Sequence, residues 1–120
     1  MHVCDSAFLS ATGSLNIIGI FEGIFTPGLP AIHPKMTVVA NVEGQVGQHD
    51  FEILMKDPSS VKLISIKGKF NLNSLKRRFG IISDFNNINL TSQGKYRIEL
   101  LVDSKLLGEV NFDVKVGTVR

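Results

Sequence analysis

The sequence predicts an all-β fold, a two-sheet antiparallel β-sandwich of the immunoglobulin-like, Greek-key type with about seven or eight strands. Short runs of alternating apolar and polar residues recur between clusters of Gly, Asn and Ser, which is the spacing of sandwiches and barrels. No segment keeps a helical period over several turns. A polar turn that leads into the only tyrosine, Tyr96, makes the fold prediction more specific.

Tyr96 is expected to form a structural corner. It follows Gly94 by two residues, at the point where a polar turn becomes a strand. In Greek-key sandwiches a tyrosine at this place returns its hydroxyl to the backbone a few residues upstream. Gly94 permits a positive φ in the turn, and Leu90 is expected in the core below the ring. The alternative is a tyrosine that simply begins an amphipathic strand.

Length and composition favour one domain, predicted over 1–116 with a tail at 117–120. The chain has 120 residues, of which 43% are hydrophobic, enough for a core without metal or disulfide. The net charge of +2 is too small to favour a nucleic-acid partner. Three observations together predict a cytoplasmic protein without membrane contact. The chain has a single cysteine, its start lacks the basic residues of a signal peptide, and its apolar runs are too short to span a bilayer.

The first third of the chain is expected to change sheets. Residues 1–9 are interpreted as the first strand. Residues 15–25 are β-rich with apolar side chains on both faces, and Gly19 and Gly23 indicate a bulge or kink where the chain passes to the other sheet. Three prolines in 26–34 exclude a central strand, so this stretch is predicted to be an extended crossing at an edge.

Three more strands are predicted in the middle of the chain. Their expected bounds are 35–43, 50–56 and 61–70. The apolar phase of the third strand slips, which indicates a bulge near Leu63. Residues 71–89 are the least regular part, with one helical turn at 75–79, and Phe85 and Ile88 are expected to anchor the chain to the core.

The chain ends in a predicted hairpin of two alternating strands, 96–102 and 106–116. A three-residue loop, 103–105, keeps their apolar faces matched, whereas a two-residue loop pairs an inward residue with an outward one. The predicted pairs are Tyr96–Phe112, Ile98–Val110 and Val102–Leu106 inward, and Glu99–Glu109 and Leu101–Leu107 outward.

The outward Leu101–Leu107 pair is a candidate protein interface. Leu54 and Val39 are also expected to point outward, so that neighbouring strands would carry an exposed apolar patch of the kind that marks protein contacts. The alternative is that the segment 71–89 covers these side chains. The expected partner is a protein, and pairing of one sheet face with itself would give a homo-oligomer.

Glu99 and Glu109 are like charges directly opposite each other, an arrangement that destabilises a sheet. The preferred explanation is a neighbouring cation, Arg97 or Lys56. An error in the register is the second explanation. A cation-binding or acid–base pair is the third, because no other polar group converges there.

No residue cluster indicates catalysis, a metal or a cofactor. His2 and Cys4 share a strand face, Asp5 points to the other face, and no further Cys or His stands at ligand spacing. Cys4 is therefore expected to be a small buried side chain.

One basic cluster is a candidate anion-binding site. It consists of Lys76, Arg77 and Arg78. Such charge runs are more often solvated loops, which is the preferred interpretation here.

Five short motifs stand in order along nearly the whole chain. They are Cys-Asp-Ser-Ala at 4–7, Gly-Ser-Leu-Asn-Ile-Ile-Gly at 13–19, Pro-Gly-Leu-Pro-Ala-Ile-His-Pro at 27–34, Gly-Lys-Tyr at 94–96 and Leu-Val-Asp at 101–103. Together they resemble DUF6941, a family of small bacterial proteins of unknown function. The resemblance implies a compact sandwich-like domain and brings no catalytic or ligand residues. The sequence departs from it at Ser104, where glycine is more usual, and in the basic stretch 76–78.

The preferred functional hypothesis is a non-enzymatic β-sandwich that serves protein interaction or assembly. The alternative is a sandwich that binds a small ligand or carbohydrate through loops at one end, although the chain has no tryptophan to serve as a sugar platform. An enzyme is the third hypothesis, for which the sequence offers no constellation of residues.

Overall fold

The computed structural model describes residues 1–9, 15–20, 23–75 and 78–117. Within these ranges the chain forms nine strands and no helix, which confirms the all-β prediction. The strands are β1 His2–Leu9, β2 Leu15–Ile20, β3 Gly23–Thr26, β4 Ala31–Glu43, β5 Gly47–Lys56, β6 Lys62–Leu72, β7 Arg78–Leu90, β8 Gly94–Val102 and β9 Lys105–Val116. The number exceeds the expected seven or eight because the segment 15–25 is divided between β2 and β3 and because β7 forms where no strand was predicted.

The strands form two sheets. A four-stranded sheet has the order β2-β1-β4-β7 and is antiparallel, and a five-stranded sheet has the order β3-β9-β8-β5-β6. β2 and β3 lie in different sheets, so the predicted change of sheet is confirmed. The wholly antiparallel prediction is wrong, because β3 runs parallel to β9. The chain enters the second sheet by crossing from the first and not by a hairpin, which leaves β3 free to run in the direction of β9.

β4 begins earlier than the proline pattern predicts. It starts at Ala31 and includes Pro34, which the sequence had assigned to an extended crossing. The pairing of β4 with β7 skips Pro34 and Asn87, whose φ is +52°, and β1 pairs with β4 only at 37–39. Pro34 is therefore tolerated inside a strand because no ladder hydrogen bond requires its missing N–H.

The irregular middle of the chain resolves into strands with local bulges. Met55 pairs with Ile64 and Lys56 pairs with Lys62, so Leu63 is the extra residue of the predicted bulge. The helical turn expected at 75–79 is wrong, because β7 starts within it.

β7 keeps a two-residue period that a second irregularity hides. Ile81 and Phe85 point into the core, and beyond Asn87 the inward positions become Ile88 and Leu90. Phe85 and Ile88 are fully buried, as expected of anchors. The one-residue slip at Asn87 explains why the sequence alone did not identify a strand of this length.

One continuous core contains residues of both sheets. The four-stranded sheet contributes Val3, Met36, Val38, Ala40, Val42, Ile81, Phe85, Ile88 and Leu90, and the five-stranded sheet contributes Ile53, Met55, Phe70, Leu72, Tyr96, Ile98, Leu100, Phe112 and Val114. Stacked rings join the layers where Phe70 on β6 lies 4.9 Å from Phe79 on β7. No helix in the described ranges is long and apolar enough to cross a membrane.

The corner at Tyr96 fixes the entry into β8. The fully buried Tyr96 donates its hydroxyl to the Ser92 carbonyl at 2.9 Å, and its ring stacks on Phe112 at 5.3 Å. Gly94 has φ +130°, and a Cβ there would lie 3.0 Å from the Pro58 ring. Leu90 is buried in the same core, so the residues assigned to a structural corner occupy that position. Of the predicted tail, the structure describes only Gly117, whose N–H donates to the Thr26 carbonyl.

Candidate interaction surface at the loop end

Three connections meet at one end of the two sheets, which we call the loop end. It comprises the residues 44–46, 73–75 and 103–107. The strand register brings the connections together, because Gly47 pairs with Leu72 and Glu43 with Arg78. The last connection is the β8–β9 hairpin, whose Asp103 accepts a hydrogen bond at the start of β5.

The β8–β9 hairpin turns in two residues, so the three-residue loop predicted from the sequence is wrong. Asp103 and Ser104 have φ values of +50° and +67°, which is the conformation of a type I′ turn. Val102 therefore pairs with Lys105, not with Leu106. The mismatch of faces that a two-residue loop creates is corrected by a bulge at Leu107.

The predicted register is correct on the side of the bulge away from the turn, and it is wrong between the bulge and the turn. Tyr96 pairs with Phe112, Ile98 with Val110 and Glu99 with Glu109. Leu101 pairs with Leu106, so the predicted Leu101–Leu107 pair is wrong.

His49 joins two of the three segments of the loop end, 44–46 and 103–107, by hydrogen bonds. Its Nδ1 lies 2.7 Å from Asp103 Oδ2 and its Nε2 lies 2.8 Å from the Gln45 carbonyl oxygen. Its side chain is only 16% exposed and stacks on Phe70. The pKa of His49 is raised, mainly by the hydrogen bond to the Asp103 carboxylate and to a smaller extent by the hydrogen bond to the Gln45 carbonyl. The pKa of Asp103 is lowered, mainly by the hydrogen bond from His49 and to a smaller extent by the hydrogen bond from the Asp50 N–H.

Both ring nitrogens of His49 face oxygen acceptors, so both hydrogen bonds form only when both nitrogens carry protons. The imidazolium is thus the form that fits this site. Because each nitrogen contacts an oxygen of the chain itself, His49 presents neither nitrogen to a substrate. The pair with Asp103 is consequently suited to holding the loops and not to general acid–base chemistry.

A small pit of about 140 Å³ opens at the loop end. Its apolar lining is Val42, Phe70, Leu72, Val102 and Leu107, its charged rim is Glu43, Asp103 and Lys105, and Gly44 and His49 complete the lining. Leu107, one of its lining residues, is 55% exposed. Leu106, which pairs with Leu101 and is not part of the lining, is 56% exposed. Val46 and Leu75 also lie at this end, which therefore carries four of the eight large apolar side chains that are exposed among the described residues.

A larger cavity of about 420 Å³ lies on the outer face of the five-stranded sheet. It is lined by Asp50, Phe51, Glu52, Lys67, Gly68, Lys69, Leu101 and Ser104. Lys69 stands opposite Asp50 and Lys67 opposite Glu52, so acidic and basic groups face each other across the cavity. Such a cavity offers polar anchors to a small molecule around a leucine.

The expected apolar patch is only half present. Val39 and Leu54 are 3% and 4% exposed, so the prediction that they are exposed is wrong. They lie on β4 and β5, which have neighbours on both sides, and side chains on such central strands are covered by those of the adjacent strands. Leu101 is half-buried, and Leu107 is exposed at the loop end.

The sequence reasoning missed the other apolar residues of the loop end. A three-residue loop places Leu106 on the inward face, whereas the observed two-residue turn places it opposite Leu101. Val46 follows Gly44 in a turn, and an apolar side chain in a Gly-rich turn is the signal that would have identified it. Leu75 lies in the segment for which no period was found.

The paired glutamates have a cation beside them. Lys56 Nζ lies 2.7 Å from Glu99 Oε1, and Glu99 is almost fully buried whereas Glu109 is exposed. This confirms the preferred explanation and identifies Lys56 as the neutralising residue. Arg97, the other candidate, donates to the Ser60 hydroxyl at 3.0 Å.

The remaining candidate residues form no shared site in the described part of the chain. Arg78 of the basic cluster forms an ion pair with Glu43, its Nε lying 2.8 Å from Oε1, and Lys76 and Arg77 lie outside the described residues. Cys4 is buried, and its thiol donates to the Thr37 carbonyl at 3.4 Å. Among the described residues, no group of three His, Cys, Asp or Glu is placed to hold a metal.

Comparison with known proteins identifies the family. A model described as a family of unknown function, DUF6941, matches residues 1–115. The match spans nearly the whole chain, so the chain belongs to this family and the resemblance of the five motifs is confirmed. Among curated proteins, none matches the chain significantly.

The fold resembles that of a solved protein structure. It is the Pseudomonas fluorescens alkylpurine DNA glycosylase AlkC bound to DNA containing an abasic site analog, with a TM-score of 0.52 and 11% sequence identity. The alignment covers 78% of this chain and 28% of the glycosylase chain. This chain thus spans less than a third of the length of that protein, and the similarity extends to the fold alone.

Proposed function

We propose that this member of the DUF6941 family is a non-enzymatic interaction module, an immunoglobulin-like Greek-key β-sandwich that binds a protein partner through the loop end. The observation that carries the proposal is the pit lined by the half-exposed Leu107. The single core shared by both sheets and the tyrosine corner support the sandwich assignment.

The size and composition of the pit suit an apolar side chain of a partner. Its volume of about 140 Å³ is close to that of an apolar cavity that holds a benzene ring, about 150 Å³. Covering the exposed half of Leu107 would add about 1 kcal/mol. Glu43, Asp103 and Lys105 form a charged rim around this apolar centre, which is the arrangement of a binding hot spot.

The pit is preformed, which lowers the entropy cost of binding. His49 ties Gln45 in one connection to Asp103 in another, and the Asp103 N–H donates to the Asp50 carbonyl at 2.8 Å. The hairpin that carries Leu107 is therefore held against the neighbouring connection before a partner arrives.

Selection of peptides from a random displayed library on the immobilised protein tests this proposal. We expect enriched peptides to share an aromatic or leucine anchor, and their binding to be lost in Leu107→Lys. Ile32→Lys is the matched control, because Ile32 is equally apolar, is exposed and lies outside the loop end. Peptides that bind Leu107→Lys as well as the wild type would refute the loop-end site, and so would a selection that enriches none.

A small-ligand module is the second candidate, supported by the cavity on the outer face of the five-stranded sheet. Its volume of about 420 Å³ falls in the range of ligand sites. A thermal-shift screen of sugars, nucleotides and metal ions tests this reading with Lys67→Ala as the site variant. A compound that stabilises the wild type but not Lys67→Ala would support it, and equal shifts in both proteins would count against it.

We also infer a bacterial and cytoplasmic setting for this module. The single buried Cys4 supports that setting, since a reduced thiol is what the cytoplasm maintains.

A further inference from the structure

The free edge of β7 points to a second copy of this chain as a partner. β7 is the last strand of the four-stranded sheet, and within the described residues no strand pairs with its other side. We propose that two chains associate through this edge, β7 against β7 in antiparallel orientation, so that their four-stranded sheets join into one.

Over residues 78–86, the edge of β7 has fewer of the features that normally keep a sheet edge unpaired than β6 has. β6, one of the two edge strands of the five-stranded sheet, carries Lys62, Lys67 and Lys69 and the bulge at Leu63. Residues 78–86 of β7 contain no lysine and no proline, and their pairing with β4 is uninterrupted. A regular strand of this kind offers its unpaired N–H and C=O groups to an incoming strand.

The charges along β7 select one register. A two-fold axis at Ile81 places Arg78 of each copy opposite Asp84 of the other, since antiparallel partners are arranged symmetrically about the axis. Both side chains are exposed. Arg78 pairs with Glu43 within its own chain, and Asp84 lies 3.9 Å from Lys35. Each end of the joined strands would then carry a row of four alternating charges.

The same register also matches the shapes of the two edges. It places Ile82, whose side chain is 37% exposed, opposite Gly80 of the other copy. The absence of a side chain at Gly80 leaves room for the isoleucine at both symmetry-related positions. Shifting the axis to Ile82 puts Arg78 opposite Asn86 and Asp84 opposite Gly80, which loses both ion pairs.

This inference goes beyond the proposed function because it uses a different surface. In an antiparallel pair the two loop ends point in opposite directions, so the dimer would present two copies of the proposed binding site. A ladder over 78–84 is smaller than a standard interface of about 1,600 Å², and we therefore expect a dimer that dissociates on dilution.

Sedimentation and light scattering of the full chain test the dimer. The mass should rise with concentration towards twice the 13.2 kDa of one chain. Ile82→Lys should remain monomeric, whereas Ile32→Lys, an exposed isoleucine of β4 away from this edge, should dimerise like the wild type. A wild type that stays monomeric at every concentration overturns the proposal, and so does an Ile82→Lys variant that dimerises unchanged.

A mixing experiment tests the register. Arg78→Glu alone and Asp84→Lys alone each place like charges opposite one another at both ends, and each should weaken the dimer by about tenfold or more. A one-to-one mixture restores two opposite-charge pairs, so labelled chains should form the heterodimer with nearly wild-type affinity. A mixture that associates no better than either variant overturns the register. Leu107→Lys should dimerise normally, which separates this result from that of the peptide selection.

Discussion

The ion pair between Lys56 and Glu99 determines whether the outer face of the five-stranded sheet tolerates two opposed glutamates. Lys56 Nζ lies 2.7 Å from Glu99 Oε1, and the two side chains are only 22% and 11% exposed. Glu109 stands directly opposite Glu99. Lys56→Met keeps most of the aliphatic length of the side chain and removes the ammonium group, so that Glu99 faces Glu109 without this cation.

The expected loss of stability follows from the burial of the pair. Removing one partner of a fully buried ion pair costs about 3–5 kcal/mol, and an exposed pair is worth less than about 1 kcal/mol. The pair of Lys56 and Glu99 lies between these limits, so Lys56→Met should lower the free energy of unfolding by about 2 kcal/mol. Adding Glu99→Gln removes the uncompensated charge and should recover about half of this loss.

Urea unfolding of the two single variants and the double variant at neutral pH measures these terms. Lys67→Met is the matched control, because Lys67 is exposed on the edge strand of the same sheet and should change stability by less than about 0.5 kcal/mol. A Lys56→Met variant as stable as this control would refute the reasoning. A double variant less stable than Lys56→Met would also refute it.

Four further predictions concern the corner, the loop end and a close contact. Tyr96→Phe removes the hydroxyl bond to Ser92 and should lower the free energy of unfolding by about 1–2 kcal/mol with the ring still in place, as measured by urea unfolding. The difference in stability between the wild type and His49→Gln should be full at pH values below 6.5, the ordinary pKa of histidine. It should be lost as the pH rises through the raised pKa of His49. A difference that does not depend on pH would contradict the ion pair of His49 with Asp103. The difference in stability between the wild type and Asp103→Asn should be full above pH 3.8, the ordinary pKa of an aspartate. It should be lost as the pH falls through the lowered pKa of Asp103. Gly68→Ala should cost about 1–3 kcal/mol in thermal unfolding, because a Cβ there would lie 2.6 Å from the ring of the opposite phenylalanine.

The parts of the fold that the sequence predicts are those with a local physical cause. The position of Tyr96 after Gly94 predicts the corner, because a glycine that allows a positive φ precedes a ring whose hydroxyl can reach the backbone of the turn. Strict alternation predicts the pairing of Tyr96 with Phe112. The phase slip near Leu63 predicts the bulge, since the alternative is to expose half of the apolar side chains of that strand.

The parts that the sequence does not predict depend on neighbours in space. Val39 and Leu54 point away from the core, and local periodicity correctly identifies that direction. Their exposure depends on which strands lie beside them, and periodicity carries no information on strand order. The parallel pairing of β3 with β9 is unpredictable for the same reason, because it depends on where the chain crosses between the sheets.

The bulge at Leu107 explains why the loop length of the hairpin was predicted wrongly, and it also places Leu107 in the candidate site. Without it, the two-residue turn would place Leu107 opposite Leu100 and turn Phe112 and Val114 out of the core. One extra residue in β9 restores their inward direction, and Leu107 is that residue. The register requires a residue at this position but no particular side chain, so a polar residue would serve the fold equally well. The leucine at this position is therefore not required by the fold, and its replacement by a polar residue tests the proposed binding site without disturbing the register.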